Sequence, residues 1–129
     1  MNAVKCLFFL AIIAIGFSSC KKDDVTIDKG LVGTWVGQWG FDQDTPTYYE
    51  RWVIKKNGDL TAYDGYGNVY AEGSCSVNGL NFTAEYTPVG KDYSYKIAGL
   101  YHDQLEEILG TWGKAPSATN RGTIEMYRQ

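Results

Sequence analysis

Aromatic side chains at alternating positions are the part of this sequence with the clearest chemical use. Trp39 and Phe41 are two residues apart, as are Tyr93 and Tyr95, so each pair shares one face of an extended chain. Ring faces stack on sugars, planar heterocycles or lipids, while hydroxyl and indole N–H groups fix orientation. We predict a small-ligand binding surface made of Trp39, Phe41, Tyr48, Glu50, Tyr86, Tyr93, Tyr95 and Trp112.

The residues that normally carry catalysis or metal binding are poorly arranged here. His102 and Asp103 share a turn with no Ser or Cys placed to use them, and Glu106 and Glu107 are neighbours that point to opposite faces of a strand. Asp42–Asp44 offers too few ligands for calcium, and one His is too few for a zinc site. We therefore predict no enzyme activity, no metal and no cofactor.

Length and charge narrow the choice of partners. The chain has 129 residues, enough for one domain, and 12 Lys+Arg against 15 Asp+Glu give a net charge of -3. Because no basic stripe stands out, nucleic acid is not an expected partner.

The elements that must position the aromatic residues are strands. From Gly30 the sequence alternates with a period of two, and turn signals recur every eight to twelve residues, which is typical of all-β domains. We predict eight strands: Val32–Phe41, Tyr48–Lys56, Asp59–Asp64, Val69–Val77, Leu80–Thr87, Asp92–Tyr101, Gln104–Trp112 and Gly122–Arg128.

Turn chemistry indicates how these strands connect. Asn57-Gly58 and Asn78-Gly79 favour two-residue type I′ hairpins, and His102-Asp103 is a third tight connection. Longer loops alternate with these tight turns, as expected for an antiparallel up-and-down barrel with all its long loops at one mouth. Around that mouth the eight ligand-binding candidates face inward, and Glu50 is the inward carboxylate. The alternative is that the rings only fill the barrel.

The first predicted strand carries a family resemblance. Gly33-Thr34-Trp35 resembles the Gly-x-Trp signature of the calycins, the group of lipocalins, fatty-acid-binding proteins and avidins. The resemblance implies that Trp35 packs at the closed end of the barrel with a basic residue, Arg128, across it. Gly33–Gly40 lacks the Asn and Ser that avidins present to biotin, so biotin is not the expected ligand.

The N-terminus has the pattern of an export signal. Lys5 precedes the apolar run Leu7–Ile15, which is too short to span a bilayer and suits a signal peptide. Ser18-Ser19-Cys20 resembles the lipobox of bacterial lipoproteins, in which the Cys is acylated and becomes the mature N-terminus. The alternative is a plain secretory peptide cleaved nearby.

The residues after Cys20 resemble a surface-export signal. Lys21–Asp24 is similar to the Lys-plus-acidic motif of Bacteroidetes-type surface lipoproteins; an ordinary solvated tether is the alternative. We predict a signal peptide over residues 1–19, a lipidated Cys20 and tether over 20–29, and a barrel over 30–129. The resemblance implies an outer-membrane lipoprotein anchored in the bilayer, either surface-exposed or periplasmic.

Cysteine use agrees with that division. Cys6 leaves with the signal and Cys20 carries lipid, so Cys75 has no partner for a disulfide and is expected to be a small buried hydrophobe.

The sequence leaves two binding functions open, and a purely structural role as a surface lipoprotein is a third possibility. The first is binding of a small amphipathic or hydrophobic ligand at the barrel mouth. The alternative is a protein-binding module, an inhibitor or complex subunit, that keeps a packed barrel and acts through loops Asp42–Thr47 and Lys114–Arg121.

Overall fold

A computed structural model describes residues 28–129, which fold as a closed antiparallel barrel. Each strand pairs with the next along the chain, and the last pairs with the first, so the predicted eight-stranded up-and-down topology is confirmed. Closure leaves no unpaired sheet edge. The strands are β1 (Gly33–Phe41), β2 (Tyr48–Ile54), β3 (Asp59–Tyr63), β4 (Val69–Asn78), β5 (Asn81–Pro88), β6 (Tyr95–His102), β7 (Glu107–Lys114) and β8 (Gly122–Arg128).

Alternation places one side of each strand in the core. In β5, Phe82, Ala84 and Tyr86 are buried while the residues between them are exposed. Large apolar side chains fill the part of the barrel away from the mouth, where Trp52 stacks on Phe82 with ring centroids 5.8 Å apart. Side chains almost entirely removed from solvent include Trp35, Trp52, Phe82, Leu31, Ile54, Leu60, Ile97, Ile108 and Met126.

The hairpins at the closed end differ from the predicted type I′ turns. That turn needs positive φ at both central residues, whereas Gly58 (φ 90°) and Gly79 (φ 65°) have it and the preceding Asn57 and Asn78 do not. Asn78 pairs with Asn81, so the two-residue loop is Gly79-Leu80 and Leu80 is exposed in the turn instead of starting β5.

The sixth and seventh strands also begin later than predicted, at Tyr95 and Glu107. The predicted tight turn at His102-Asp103 is therefore wrong: the connection is a four-residue turn, 103–106, because His102 pairs with Glu107. Glu106 lies in this turn with a φ of 52° and not, as predicted, on the strand beside Glu107. The seventh strand also runs two residues further, to Lys114, which matters for the mouth of the barrel.

Trp35 and Arg128 meet at the closed end. The Arg128 guanidinium lies 4.8 Å from the centre of the Trp35 ring and donates a hydrogen bond to the Val32 carbonyl (2.9 Å). The Trp35 indole N–H donates to the carbonyl of Leu31 (2.9 Å). Gly33 is required here, because its φ is 132° and an added Cβ would lie 2.8 Å from an Arg128 nitrogen.

Candidate functional site

The mouth of the barrel holds a cavity of about 320 Å³. This volume is within the range of small-molecule sites. Six of the eight candidate residues line it, together with four residues that were not predicted from the sequence. The lining residues are Trp39, Phe41, Tyr70, Tyr86, Tyr93, Tyr95, Trp112, Lys114, Arg121 and Ile124.

The aromatic wall is held in place by contacts between its own rings. Trp39 and Trp112 meet edge to face with centroids 5.1 Å apart, and Tyr95 meets Trp112 in the same manner at 5.4 Å. The Trp112 indole N–H donates to the Gly40 carbonyl (3.0 Å), which ties β7 to β1 through the ring itself. Rings fixed in this way offer a preformed apolar surface and lose little freedom when a ligand binds.

Tyr48 and Glu50, the other two candidates, lie beside the cavity and not on its lining. Tyr48 stacks on the outer side of Trp39 at 4.6 Å and is half exposed at the rim. Glu50, two residues further along β2, is buried beneath the cavity with only 1% of its surface exposed. Both positions follow from strand alternation: Tyr48 pairs with Trp39 at the rim, and Glu50 is the next inward residue of β2 towards the closed end.

Glu50 is held by two hydrogen bonds to one oxygen. The Trp52 indole N–H (2.6 Å) and the Tyr86 hydroxyl (2.8 Å) both donate to Glu50 Oε2. Burial raises the pKa of Glu50 to about 7, although these two donors act in the opposite direction. Because Tyr86 also lines the cavity, its ring connects the cavity floor to a carboxyl group that titrates near neutral pH.

Tyr70 reaches the cavity through a β-bulge. Ala62 pairs with Ala71 but Tyr63 pairs with Val69, so Tyr70 is an extra residue in β4. A bulge re-aims a side chain and breaks the two-residue alternation. Strict alternation from buried Ala71 would put Tyr70 outside the barrel, so the sequence pattern does not indicate Tyr70 as a lining residue.

Two cations at the rim were also missed. Lys114 is two residues after Trp112 and shares its face, so extending the predicted strand by two residues would have found it. Arg121 lies in the loop before β8, where no periodic pattern applies. Ile124 is inward by the alternation of β8 and pairs with Trp39, so it lies at the same level of the barrel as the aromatic wall.

The other reactive groups lie away from the mouth. Cys75 is buried, as predicted, and burial raises the pKa of its thiol to about 12. His102 lies at the closed end with Nδ1 3.2 Å from a Glu107 carboxylate oxygen. Between residues 28 and 129, no three His, Cys, Asp or Glu side chains are grouped closely enough to hold a metal ion.

No protein-family model and no curated protein matches the chain. The resemblances to calycins and bacterial lipoproteins therefore stay predictions from the residues quoted above. The predicted signal peptide and Cys20 lie outside the described residues. Within the described residues there is no helix long and apolar enough to cross a membrane.

Proposed function

We propose that this protein binds a small amphipathic ligand in its mouth cavity. The observation that carries the proposal is a preformed cavity of about 320 Å³ with aromatic walls at one end of an otherwise filled barrel. That volume equals the liquid volume of about ten water molecules, so it suits a compact ligand or one end of a longer one. Burying such a ligand against rings that are already ordered gives favourable free energy at low entropic cost.

The lining supports an amphipathic ligand over a purely apolar one. Besides the apolar rings of Trp39 and Trp112, the cavity lining contains the hydroxyl groups of four tyrosines: Tyr70, Tyr86, Tyr93 and Tyr95. Such groups orient a ligand by hydrogen bonds while the rings supply contact area. A protein-binding module acting through the mouth loops would not need this cavity, which is why we place the small ligand first.

We propose further that the barrel is held at a bacterial outer membrane by acylated Cys20. Gly33, the first residue of β1, lies at the closed end, opposite the cavity. A tether over residues 20–29 would reach at most about 30 Å when fully extended. The mouth would then face away from the bilayer, where a ligand reaches it freely.

The proposed function is tested by tryptophan fluorescence and calorimetry against lipids, glycans and haem-like rings. Wild-type protein should bind at least one class. Trp39→Phe should weaken that binding, because the Trp39 ring lines the cavity and contacts the rings of Phe41 and Trp112. Trp35→Phe, at the closed end, is the matched control and should bind as the wild type does. Absence of binding by wild type, or equal weakening by both variants, would contradict the proposal.

A further inference from the structure

The cavity rim carries two cations that form no salt bridge with the described residues. Lys114 and Arg121 both line the cavity, while its other lining residues are aromatic or aliphatic. Over residues 28–129, neither cation lies within 4.0 Å of a carboxylate oxygen. The chain has a net charge of -3, yet the two charged residues that line the cavity are both cations.

Hydrogen bonds from their backbone groups hold Lys114 and Arg121 in place at the rim. The Arg121 N–H donates to the Trp112 carbonyl (3.2 Å), and the Arg121 carbonyl accepts from Asp42 N–H (2.7 Å). The Lys114 N–H donates to the side chain of Asn120 (3.1 Å), which folds the loop back over the end of β7. Both cations are thus tied to strands that also carry Trp39 and Trp112.

Both cations are exposed to solvent, and each lies near a tyrosine ring of the cavity lining. Lys114 Nζ is 5.0 Å from the centre of the Tyr93 ring, a cation–π contact at the rim. The charge of Arg121 is close enough to Tyr95 to oppose the rise in its pKa that burial causes. An acidic group at the rim would therefore meet positive charge directly next to aromatic surface.

We propose that the cavity selects a flat aromatic anion, such as an aryl carboxylate, with its acidic group on Lys114 and Arg121 and its ring against Trp39 and Trp112. This inference rests on the proposed function and names its ligand class. The inner end of the cavity also favours a ligand whose acidic group points to the rim. There the Tyr86 hydroxyl already donates to the buried Glu50, whose ionised form repels an anion and directs the acidic group to the rim.

Three naphthalene probes of matched shape and different charge test the inference: 2-naphthoate, 2-naphthylmethanol and 2-naphthylmethylammonium. At neutral pH and low salt, calorimetry should give about tenfold tighter binding for the anion than for the alcohol, as expected for a charge-assisted contact. The ammonium probe should bind most weakly. Added salt should narrow these differences, because the rim is exposed.

Variants assign the preference to the rim. Lys114→Ala and Arg121→Ala should each weaken 2-naphthoate binding several-fold, and the double variant should bind anion and alcohol equally. Lys55→Ala, in the turn between β2 and β3 at the closed end, is the matched control and should keep the preference. Since all three side chains are exposed, circular dichroism should show the same fold in every variant.

Equal binding of the three probes by wild type would overturn the inference and leave mouth binding intact. Loss of the preference in Lys55→Ala, or its survival in the double variant, would also overturn it. If none of the probes binds, the inference falls, and the screen of lipids, glycans and haem-like rings decides the proposed function separately.

Discussion

Glu50 offers the sharpest physical prediction, because burial raises the pKa of its carboxyl group to about 7. Glu50→Gln keeps the size of the side chain and supplies a carbonyl oxygen for the N–H of Trp52 and the hydroxyl of Tyr86. It removes the ability to ionise. The substitution therefore isolates the effect of the buried charge from the effect of packing.

The magnitude follows from the pKa. Burial favours the neutral carboxyl, so the folded protein holds its proton to about pH 7 while the unfolded chain releases it near 4.5. Between these values the folded state binds more protons, so the free energy of unfolding falls as pH rises, and it levels off above the folded pKa. A tenfold change in proton affinity is worth about 1.4 kcal/mol, so the total loss is about 3 kcal/mol.

The assay is urea unfolding of wild type and Glu50→Gln, monitored by tryptophan fluorescence. It is repeated at a series of pH values from about 4.5 to well above the pKa of Glu50. The stability of Glu50→Gln relative to wild type should rise by about 3 kcal/mol over that range. Glu85→Gln, an exposed position on β5, is the control and should follow the wild type. Parallel curves for wild type and Glu50→Gln would refute the reasoning, since they would mean that Glu50 titrates alike in the folded and unfolded states.

Two further predictions concern the closed end and the anchor. Arg128→Ala should lower the free energy of unfolding by about 1–2 kcal/mol, because it removes packing and charge from the face of Trp35. Thermal unfolding measures this loss, and an unchanged melting temperature would count against the contact. Cys20→Ser should abolish acylation when the full chain is made in a Gram-negative host. Mass spectrometry of the envelope fraction checks this, and a variant that still carries lipid would contradict the proposal that Cys20 is the acylated residue.

The fold was largely readable from the sequence because its signals are local and repeat along the chain. Alternation in β5 and glycines at the tight turns were enough for strand number and order. The errors occur where one backbone position decides the outcome: Gly79 takes the first loop position of its turn, which moves Leu80 out of the strand. The preference of Asn-Gly for tight turns does not show whether the two-residue loop is Asn78-Gly79, as predicted, or Gly79-Leu80, as found.

The candidate site was readable to the extent that strand alternation holds. It gave Trp39, Tyr86 and Trp112, which line the cavity. It failed for Tyr70, because a bulge leaves no mark in the alternation of β4. It also failed for Arg121, whose place in the rim depends on hydrogen bonds between its loop and two strands distant in sequence. The sequence therefore did not predict the hydroxyl group of Tyr70 or the positive charge of Arg121 at the cavity, and this charge helps to define the expected ligand.

The most direct test of the central claim uses the four tryptophans of the chain as reporters along the barrel. In a ¹⁵N-labelled sample, each indole N–H gives its own NMR signal, and titration with 2-naphthoate follows all four at once. A ligand in the mouth cavity should shift the signals of Trp39 and Trp112 strongly and leave Trp35, at the closed end, unchanged. Equal shifts at Trp35 and Trp39, or no shift at the two mouth tryptophans while the probe binds elsewhere, would contradict binding at the mouth.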